Sequence, residues 1–561
     1  MKKETSSADD RALKLIRGLT LESRKNFSKA NENAVIGKVL GAKPELKKDI
    51  KNLMKEISKT VKEYNKLPEK EFLRLYDEHE KYLPKKEKKD GQKTLPELKK
   101  VPGPYAFRME PSPTGPLHLG HIIVLLLNAG YAKKYNGRLI VRIADTNPED
   151  IYAPAYDMIP DEAEWITQQK IFSMTQSSRM DDYYLHAATL IEQGNAYVCT
   201  CSPENFKQLV DKKQACTCRS LSIKEQKERW QKMFDGYEMG EAVLRIKTDV
   251  KHKNPAVREW PAFRINDAPH PRTGNEYRVW PLMNFSVAVD DHDSGITHVI
   301  RGKDHIVNME RQAYVFKYLN WDIPEYIHIG RINFTGLRMS TSGFREAIQN
   351  KVFSGWDDPR LPTLAAFRRR GFNPGAFMRY VTELGPSKVD KVVNYEDFIK
   401  AIYSYNRTLI DKQTHRYFFV ESPKEITIAD APNLNAEVPI HPDVPAHGAR
   451  HFSTAGKFYV EDELEKGKFY RFMHLFNFKD KRFHSIEMKQ ELNARLIHWL
   501  PVSNDVVNVE VKMPDGSTKR GIAEHTIKQA KIGDVIQFER KFFCRLDKIE
   551  NGTCVFYYTH P

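Results

Sequence analysis

The chain has 561 residues, 40% of them hydrophobic and 29% charged, with a net charge of +15 and a pI of about 9.2. That length allows about three to five domains, and the composition fits a folded, soluble protein rather than a disordered or fibrous one. The longest apolar run, Ile122 to Leu127, is too short to cross a bilayer, so a membrane protein is not expected, and the basic balance points to a polyanion, nucleic acid first.

The first 83 residues read as helices. Leu13, Ile16, Leu19 and Leu21 lead into a Lys-rich stretch, Leu46 to Tyr64, where Ile50, Leu53, Met54, Ile57, Val61 and Tyr64 recur at roughly helical spacing. The start is rich in Lys and Glu and lacks an apolar signal core, so the expected location is cytoplasmic, with reduced thiols. Residues 84–100 read as a charged linker containing Pro and Gly.

Next comes a strand-like run, Tyr105 to Phe107, then a loop, Arg108 to His121, then an apolar helix-like run, Ile122 to Ala132, and a second strand, Arg138 to Ile143. This is a βαβ unit with a Pro/Gly/His loop at the carboxyl end of its first strand. Free N–H groups and the helix dipole make that place an anion site. His118 and His121 can lie over a triphosphate and donate to it as charge develops, and the glycine between them lets a flat base approach the backbone. The second strand ends in Ala144-Asp145-Thr146-Asn147-Pro148, at another strand-to-loop edge where open α/β sheets bind ligands.

The segment 195–270 interrupts the α/β pattern. It carries Cys199-x-Cys201 and Cys216-x-Cys218. Four thiolates favour Zn²⁺, with an iron–sulfur cluster second and a loop without metal as the alternative. A further strand–helix set runs from Glu276 to Thr335, and its last strand is expected over Tyr326 to Phe334. A polar loop follows, Arg338-Met339-Ser340-Thr341-Ser342. Residues 340–415 read as helical and basic, with Arg368, Arg369, Arg370 and Arg379. From Tyr417 the alternation of apolar and polar residues predicts β-barrels, with Cys544 and Cys554 as core residues.

Two of these stretches carry a resemblance. Arg108-x-x-Pro111-Ser112-Pro113-Thr114-Gly115-Pro116-Leu117-His118-Leu119-Gly120-His121 resembles the HIGH signature of class I aminoacyl-tRNA synthetases, in the form of their glutamyl branch. Arg338 to Ser342 looks like the KMSKS loop of the same family, in an S-T-S form familiar in archaeal glutamyl enzymes. Asn33 to Leu40 is similar to the small helical domains at the front of those enzymes and to tails of tRNA-dependent amidotransferases. Ile497 to Trp499 and Gln537 to Phe543 resemble the anticodon-binding barrels of the glutaminyl, archaeal and eukaryotic members.

The resemblance implies an α/β multidomain protein. Its expected parts are a helical extension (1–83), a linker (84–100), a Rossmann-like catalytic core in two halves (101–194 and 276–339), an insertion that grips the tRNA acceptor end (195–275), a helical stem-contact domain (340–416) and β-barrel anticodon-binding domains (417–561). It implies a glutamate–tRNA ligase that uses ATP and Mg²⁺, and the four cysteines themselves are the expected structural Zn²⁺ site. L-glutamate and tRNA-Glu are the implied partners, with tRNA-Gln left open and neither membrane nor DNA expected. The implied ATP site is Pro111 to His121 with Arg338, Met339, Ser340, Thr341 and Ser342. The implied glutamate site is Arg108, Glu110, Ser112, Met283, Asn284 and Arg301.

Some positions depart from the family pattern. Thr341 stands where a second lysine is usual, which leaves Lys303 and Arg345 as candidates for that cation. Ala144 stands where a carboxylate usually meets the substrate ammonium, and Glu110 stands where Ala or Pro is usual, so the carboxylate is expected to have moved to Glu110; an inward Asp145, or a solvated Glu110, are the alternatives. Met283-Asn284 replaces a Tyr-Asp or Tyr-His pair. Two rivals stay open: a glutaminyl enzyme, which Arg301 and the loop Pro111-Ser112-Pro113-Thr114-Gly115 oppose, and a catalytically silent tRNA-binding protein, which only Thr341 and Ala144 support.

Overall fold

The structure, a computed structural model, describes residues 7–27, 29–80, 83, 93–337 and 341–561. Arg338, Met339 and Ser340 lie outside the described residues, as does most of the expected linker. The chain divides into two units, Met1–Gln92 and Lys93–Pro561.

The first unit is helical: α1 (Ser7–Phe27), α2 (Glu32–Ala42), α3 (Ile50–Tyr64) and α4 (Glu69–Glu80). In α3 the periodic residues Leu53, Ile57, Val61 and Tyr64 are buried, while Ile50 and Met54 are exposed. Leu53, Ile57 and Val61 meet Leu15, Ile16 and Leu19 of α1 and Val35 and Val39 of α2, while Tyr64 packs with Leu21, Phe72 and Tyr76. Asn31 caps α2 by accepting from the N–H of Ala34, which satisfies a donor that the helix start cannot.

The second unit begins with β1 (Ala106–Met109), α5 (Leu119–Lys134) and β2 (Arg138–Ile143), the βαβ unit expected from the sequence. α6 (Ala155–Thr167), β3 (Phe172–Thr175) and α7 (Met180–Glu192) follow. An insertion then folds as β4 (Ala196–Cys199), α8 (Pro203–Asp211), α9 (Ile223–Asp235), β5 (Val243–Ile246), β6 (Pro261–Ile265) and β7 (Val279–Pro281). Its four strands form one antiparallel sheet. The run at Val279 therefore completes this sheet, and the core resumes through α10 (Met283–Asp293) at β8 (His298–Gly302). α11 (Ile306–Tyr318) and β9 (Glu325–Ile329) close a five-stranded parallel sheet of order β3-β2-β1-β8-β9.

The strand order reverses beside β1, between its links to β2 and to β8. Open α/β sheets bind ligands outside the carboxyl ends of strands at such a point, and the loop Glu110 to His118 leaves β1 there. α5 is buried on nearly every side, which explains its continuous apolar run.

The strand expected over Tyr326 to Phe334 is two strands. β9 ends at Ile329, and β10 (Ile332–Thr335) pairs instead with β11 (Lys391–Asn394), in a separate sheet. Gly330 is the break. Its N–H donates to the Ser387 carbonyl at 2.8 Å, and a Cβ there would overlap the Val389 carbonyl. Helices α12 (Thr341–Gln349), α13 (Leu364–Arg369), α14 (Pro374–Leu384) and α15 (Tyr395–Ile410) surround this small sheet in the chain.

From Arg416 to His560 the tail is built of strands joined by loops and short 3-10 turns, with no α-helix among the described residues, in one seven-stranded sheet and several smaller ones. Successive side chains on a strand face opposite ways, and here that alternation feeds two cores. Phe418 packs with Phe452, Phe458 and Trp499, while Phe419 packs with Phe538 and Phe542. Arg450, 1% exposed, donates to Glu524 at 2.9 Å and Glu539 at 2.8 Å. Cys544 and Cys554 are buried in this tail. Among the described residues no helix is long and apolar enough to cross a membrane.

Gly330→Ala forces the β9–β10 corner open. The expected loss is about 1–3 kcal/mol, the usual cost of forcing backbone shifts in a packed site, read as a lower denaturant midpoint in equilibrium unfolding. An unchanged midpoint would mean that the corner has room.

Candidate active site

The loop after β1 is stitched to the loop after β2. The Pro111 carbonyl accepts from the Ala144 N–H at 3.0 Å, and the Pro113 carbonyl accepts from the Tyr152 N–H at 2.8 Å. The Leu117 N–H donates to Glu162 Oε2 at 2.6 Å. Glu162 lies on α6 and is 4% exposed. Burial pushes its carboxyl up to about 8, against the pull of that backbone donor.

His118 is the N-cap of α5. Its Nδ1 accepts from the Gly120 N–H at 3.0 Å, and His121 Nδ1 faces the His118 N–H at 3.4 Å. The two rings stack with centroids 4.0 Å apart. A ring nitrogen that accepts leaves the proton on the other one, so both histidines keep Nε2–H to donate. Burial lowers the pKa of His118, and burial together with His118 lowers that of His121 to about 3. They act as neutral donors at neutral pH.

These residues wall a cavity of about 420 Å³ that also takes in Ala144, Met283, Arg301 and His305. Of the sequence-derived site residues, Arg108, Glu110, Pro111, Ser112, Thr114, His118, Gly120, His121, Met283 and Arg301 line it. Pro113, Gly115, Pro116, Leu117 and Leu119 do not; they shape the loop, and Leu117 and Leu119 are core. Asn284 stands behind the wall, where its Oδ1 accepts from Gln312 at 3.4 Å. A second cavity of about 350 Å³ shares Gly120, Val124 and Gly302 and has an apolar side of Ile329, Ile332 and Phe334.

The two arginines of the cavity differ. Arg108 is committed in bidentate fashion to Asp291, Nε to Oδ1 and Nη2 to Oδ2, both at 3.0 Å. Only its Nη1 is left, 3.5 Å from Glu110. Arg301, 7% exposed on β8, donates to the Gln312 amide oxygen at 3.0 Å and lies over the Tyr326 ring at 4.8 Å. No carboxylate among the described residues lies within ion-pair distance of it. Burial, then the repulsion of Arg108, lowers its pKa to about 10.

Asp290, Asp291, Arg142, Glu162 and Gln312 were not singled out from sequence. The Asp290-Asp291 pair had a signal: two acids ending the apolar run Phe285 to Val289 in a buried helix. Arg142 inside the apolar strand Arg138 to Ile143 had the same one.

Of the second signature, Thr341 and Ser342 start α12. Thr341 lies against the first signature: a Cβ on Gly115 would sit 2.5 Å from its Cγ2. Lys303 is half-exposed and paired with Asp390 at 2.7 Å. Arg345, one turn into α12, donates to the Thr114 carbonyl and lies over the Tyr152 ring at 4.9 Å. Of the two candidate cations, Arg345 is the one at the loop.

Residues 106–410 match the profile of the family described as tRNA synthetases class I (E and Q), catalytic domain. Residues 414–497 and 496–547 match two profiles of its anti-codon binding domain. The chain belongs to the class I tRNA synthetases of the E and Q type. It is 43% identical over 544 residues to a glutamate–tRNA ligase of Methanocaldococcus jannaschii, covering 95% of this chain and 97% of that one. A glutamate–tRNA ligase of Pyrococcus furiosus is 41% identical over 560 residues, covering 95% and 96%.

In this synthetase the four cysteines of the insertion converge, with their sulfurs all within 4.8 Å of one another. Cys199 and Cys216 are 3.9 Å apart, and Cys201 and Cys218 are 4.0 Å apart. A tetrahedron with bonds of roughly 2.3 Å has edges of about 3.8 Å, so the donor set fits Zn²⁺. Tyr197 Oη lies 3.6 Å from Cys216 Sγ, and Arg229 Nη1 donates to Cys218 Sγ at 3.4 Å. Polar partners of this kind orient thiolate ligands.

The pKa of Glu162 gives a stability signature. Its carboxyl ionises near 4.5 in the unfolded chain and about 8 in the fold. Between those values the folded state holds the extra proton, so stability falls as pH rises and levels off above about 8. Glu162→Gln removes this term. The melting-temperature difference, variant minus wild type, is expected to grow from pH 5 to 8; a flat difference would place the carboxyl in its ordinary range.

Proposed function

We propose that this chain is a glutamate–tRNA ligase: ATP and L-glutamate give glutamyl-adenylate, and the glutamyl group passes to the terminal adenosine of tRNA-Glu. Arg301 carries the reading. It is a buried cation with no carboxylate partner among the described residues, at the wall of the cavity that holds the signature loop. A guanidinium matches a carboxylate in two parallel hydrogen bonds, and the γ-carboxylate of glutamate supplies that partner. Glutamine would leave the charge uncompensated, at a cost of about 3–5 kcal/mol, or roughly two to four orders of magnitude. This disfavours a glutaminyl enzyme.

The remaining roles follow from position. His118 and His121 donate from Nε2 to the phosphates as pyrophosphate leaves. The adenine takes the second cavity, where Gly120 leaves the backbone bare. Arg345 serves as the second cation near the triphosphate, in place of the lysine that Thr341 replaces. Glu110 is the one carboxylate among the described lining residues, and a single carboxylate makes no cage for a divalent ion. The protein thus offers Mg²⁺ no cage of its own, and the ion would arrive on the triphosphate with its waters, as Mg²⁺ commonly does. It would supply further positive charge there. The tail from 417 would hold the anticodon arm, the insertion the acceptor end, and Zn²⁺ at Cys199, Cys201, Cys216 and Cys218 would fix the insertion's fold. A silent tRNA-binding protein would have no use for two neutral donors and an unpaired arginine in one cavity.

The test is charging of tRNA-Glu and tRNA-Gln with labelled glutamate. Arg301→Gln is expected to raise the glutamate KM by about two to four orders of magnitude while the ATP KM stays within about twofold. No charging of either tRNA by the wild type would refute the reading. Elemental analysis of protein purified without chelator is expected to find one zinc per chain, lost in Cys216→Ser together with Cys218→Ser. Absence of metal in the wild type would leave the cysteines as a thiol core.

A further inference from the structure

We infer that Glu110 is the residue that receives the α-ammonium group of the amino-acid substrate. This rests on the glutamate reading above and adds a contact to it. A free amino acid brings a cation as well as its carboxylates, and an unpaired ammonium in a closed cavity is costly. Among the described residues that line the cavity, Glu110 is the one carboxylate.

Its surroundings leave it short of partners. The Glu110 side chain is 10% exposed. Its nearest cations are Arg108 Nη1 at 3.5 Å and Arg142 Nη1 at 3.7 Å, and Gln176 Nε2 donates to it at 3.4 Å. Charge-assisted hydrogen bonds run at about 2.7–2.9 Å, so none of these is a full one. A carboxylate offers about four lone-pair sites, and here they are not filled at close range. Burial raises its pKa in spite of Arg142 and Arg108, the mark of an anion that its neighbours under-serve.

The other buried acids nearby are spoken for, and Asp304, at the adjoining cavity, is exposed to solvent. Asp291 takes two bonds from Arg108 at 3.0 Å and one from Arg142 at 2.6 Å. Asp290 takes Gln176 and Arg179 at 2.8 Å and Tyr183 at 2.9 Å. Asp145 turns away from the cavity to the Ser177 N–H and hydroxyl, at 2.8 and 2.6 Å, and to Tyr156 at 2.7 Å. Ala144 shares the cavity wall with Glu110 and presents only a methyl group. β1 and β2 run parallel as neighbours, and Glu110 and Ala144 leave their carboxyl ends side by side. The space over Ala144 is therefore open for an ammonium to reach Glu110.

The experiment compares L-glutamate with glutarate, which has both end carboxylates and no ammonium. In tRNA charging by the full chain, Glu110→Gln is expected to raise the glutamate KM about tenfold or more, with the ATP KM within about twofold. Inhibition by glutarate should change by less than about threefold, because glutarate never used Glu110. Glu110→Asp keeps the charge beside Arg108 and Arg142 but shortens its reach; it is expected to raise the glutamate KM in the same selective way, and it covers the case in which the Gln variant does not fold. An unchanged glutamate KM in either folded variant, or glutamate and glutarate weakened alike, would overturn the assignment. Wild-type charging of glutamate is read separately, so failure of the general reading shows in the wild type and failure of this one only in the variants.

Discussion

The acid pair Asp290-Asp291 is the constraint on which the site depends. It sits near the end of α10, and three arginines from other elements converge on it: Arg108 of β1, Arg142 of β2 and Arg179 just before α7. α10 directly precedes β8, so these pairs clamp the two halves of the parallel sheet at their seam. In register β1 and β8 pair at Phe107 and His298, and beside that pair the Thr297 N–H donates to the Ala106 carbonyl at 3.1 Å. Buried ion pairs contribute little net stability against an apolar substitute, yet losing one partner costs about 3–5 kcal/mol. Their effect here is positional. They fix Arg108 so that one nitrogen faces the cavity, and they hold Arg142 beneath Glu110.

Around that fixed floor the cavity separates two kinds of donor. His118 and His121 are buried enough to stay neutral, and each ring's backbone contact settles which nitrogen keeps the proton. A neutral donor does not bind the ground-state triphosphate as tightly as a cation would, and it gains most where charge develops. Arg345 and Arg301 are cations, Arg345 held against the Thr114 carbonyl of the loop and Arg301 at the cavity wall. The loop is held from two sides: Gly115 lets α12 come close, and Glu162 holds Leu117.

Much of this was legible in the sequence. The βαβ unit, the loop at the carboxyl end of its first strand, the two cysteine pairs and the strand-rich tail all follow from local period and spacing, which are properties of single segments. What was not legible is pairwise. Tyr326 to Phe334 reads as one apolar strand, and only the approach of Val389 to Gly330 shows that it must break into two sheets. Val279 to Pro281 reads as a core strand and pairs with the insertion, because a three-residue apolar run carries no information about its partner. Arg108 reads as a substrate arginine, but its fork is taken by Asp291, a residue 183 positions away. Lys303 and Arg345 were equal on paper; an ion pair with Asp390 and a contact with Thr114 separate them.

The contrast between satisfied and unsatisfied charges says which groups build the site and which await a ligand. A buried charge left short of partners lowers stability, so a fold tolerates it only where something else completes it. Asp145, Asp290 and Asp291 each have several close donors, and they behave as framework. Arg301 has one amide oxygen and an aromatic face; Glu110 has three donors, all too far. The missing partner of the first is an anion and that of the second a cation. Both open into one cavity, walled by the βαβ loop, Ala144, Met283 and the end of β8. The ligand that completes them must carry both signs at a fixed separation, as an acidic amino acid does and as neither ATP nor the tRNA end can.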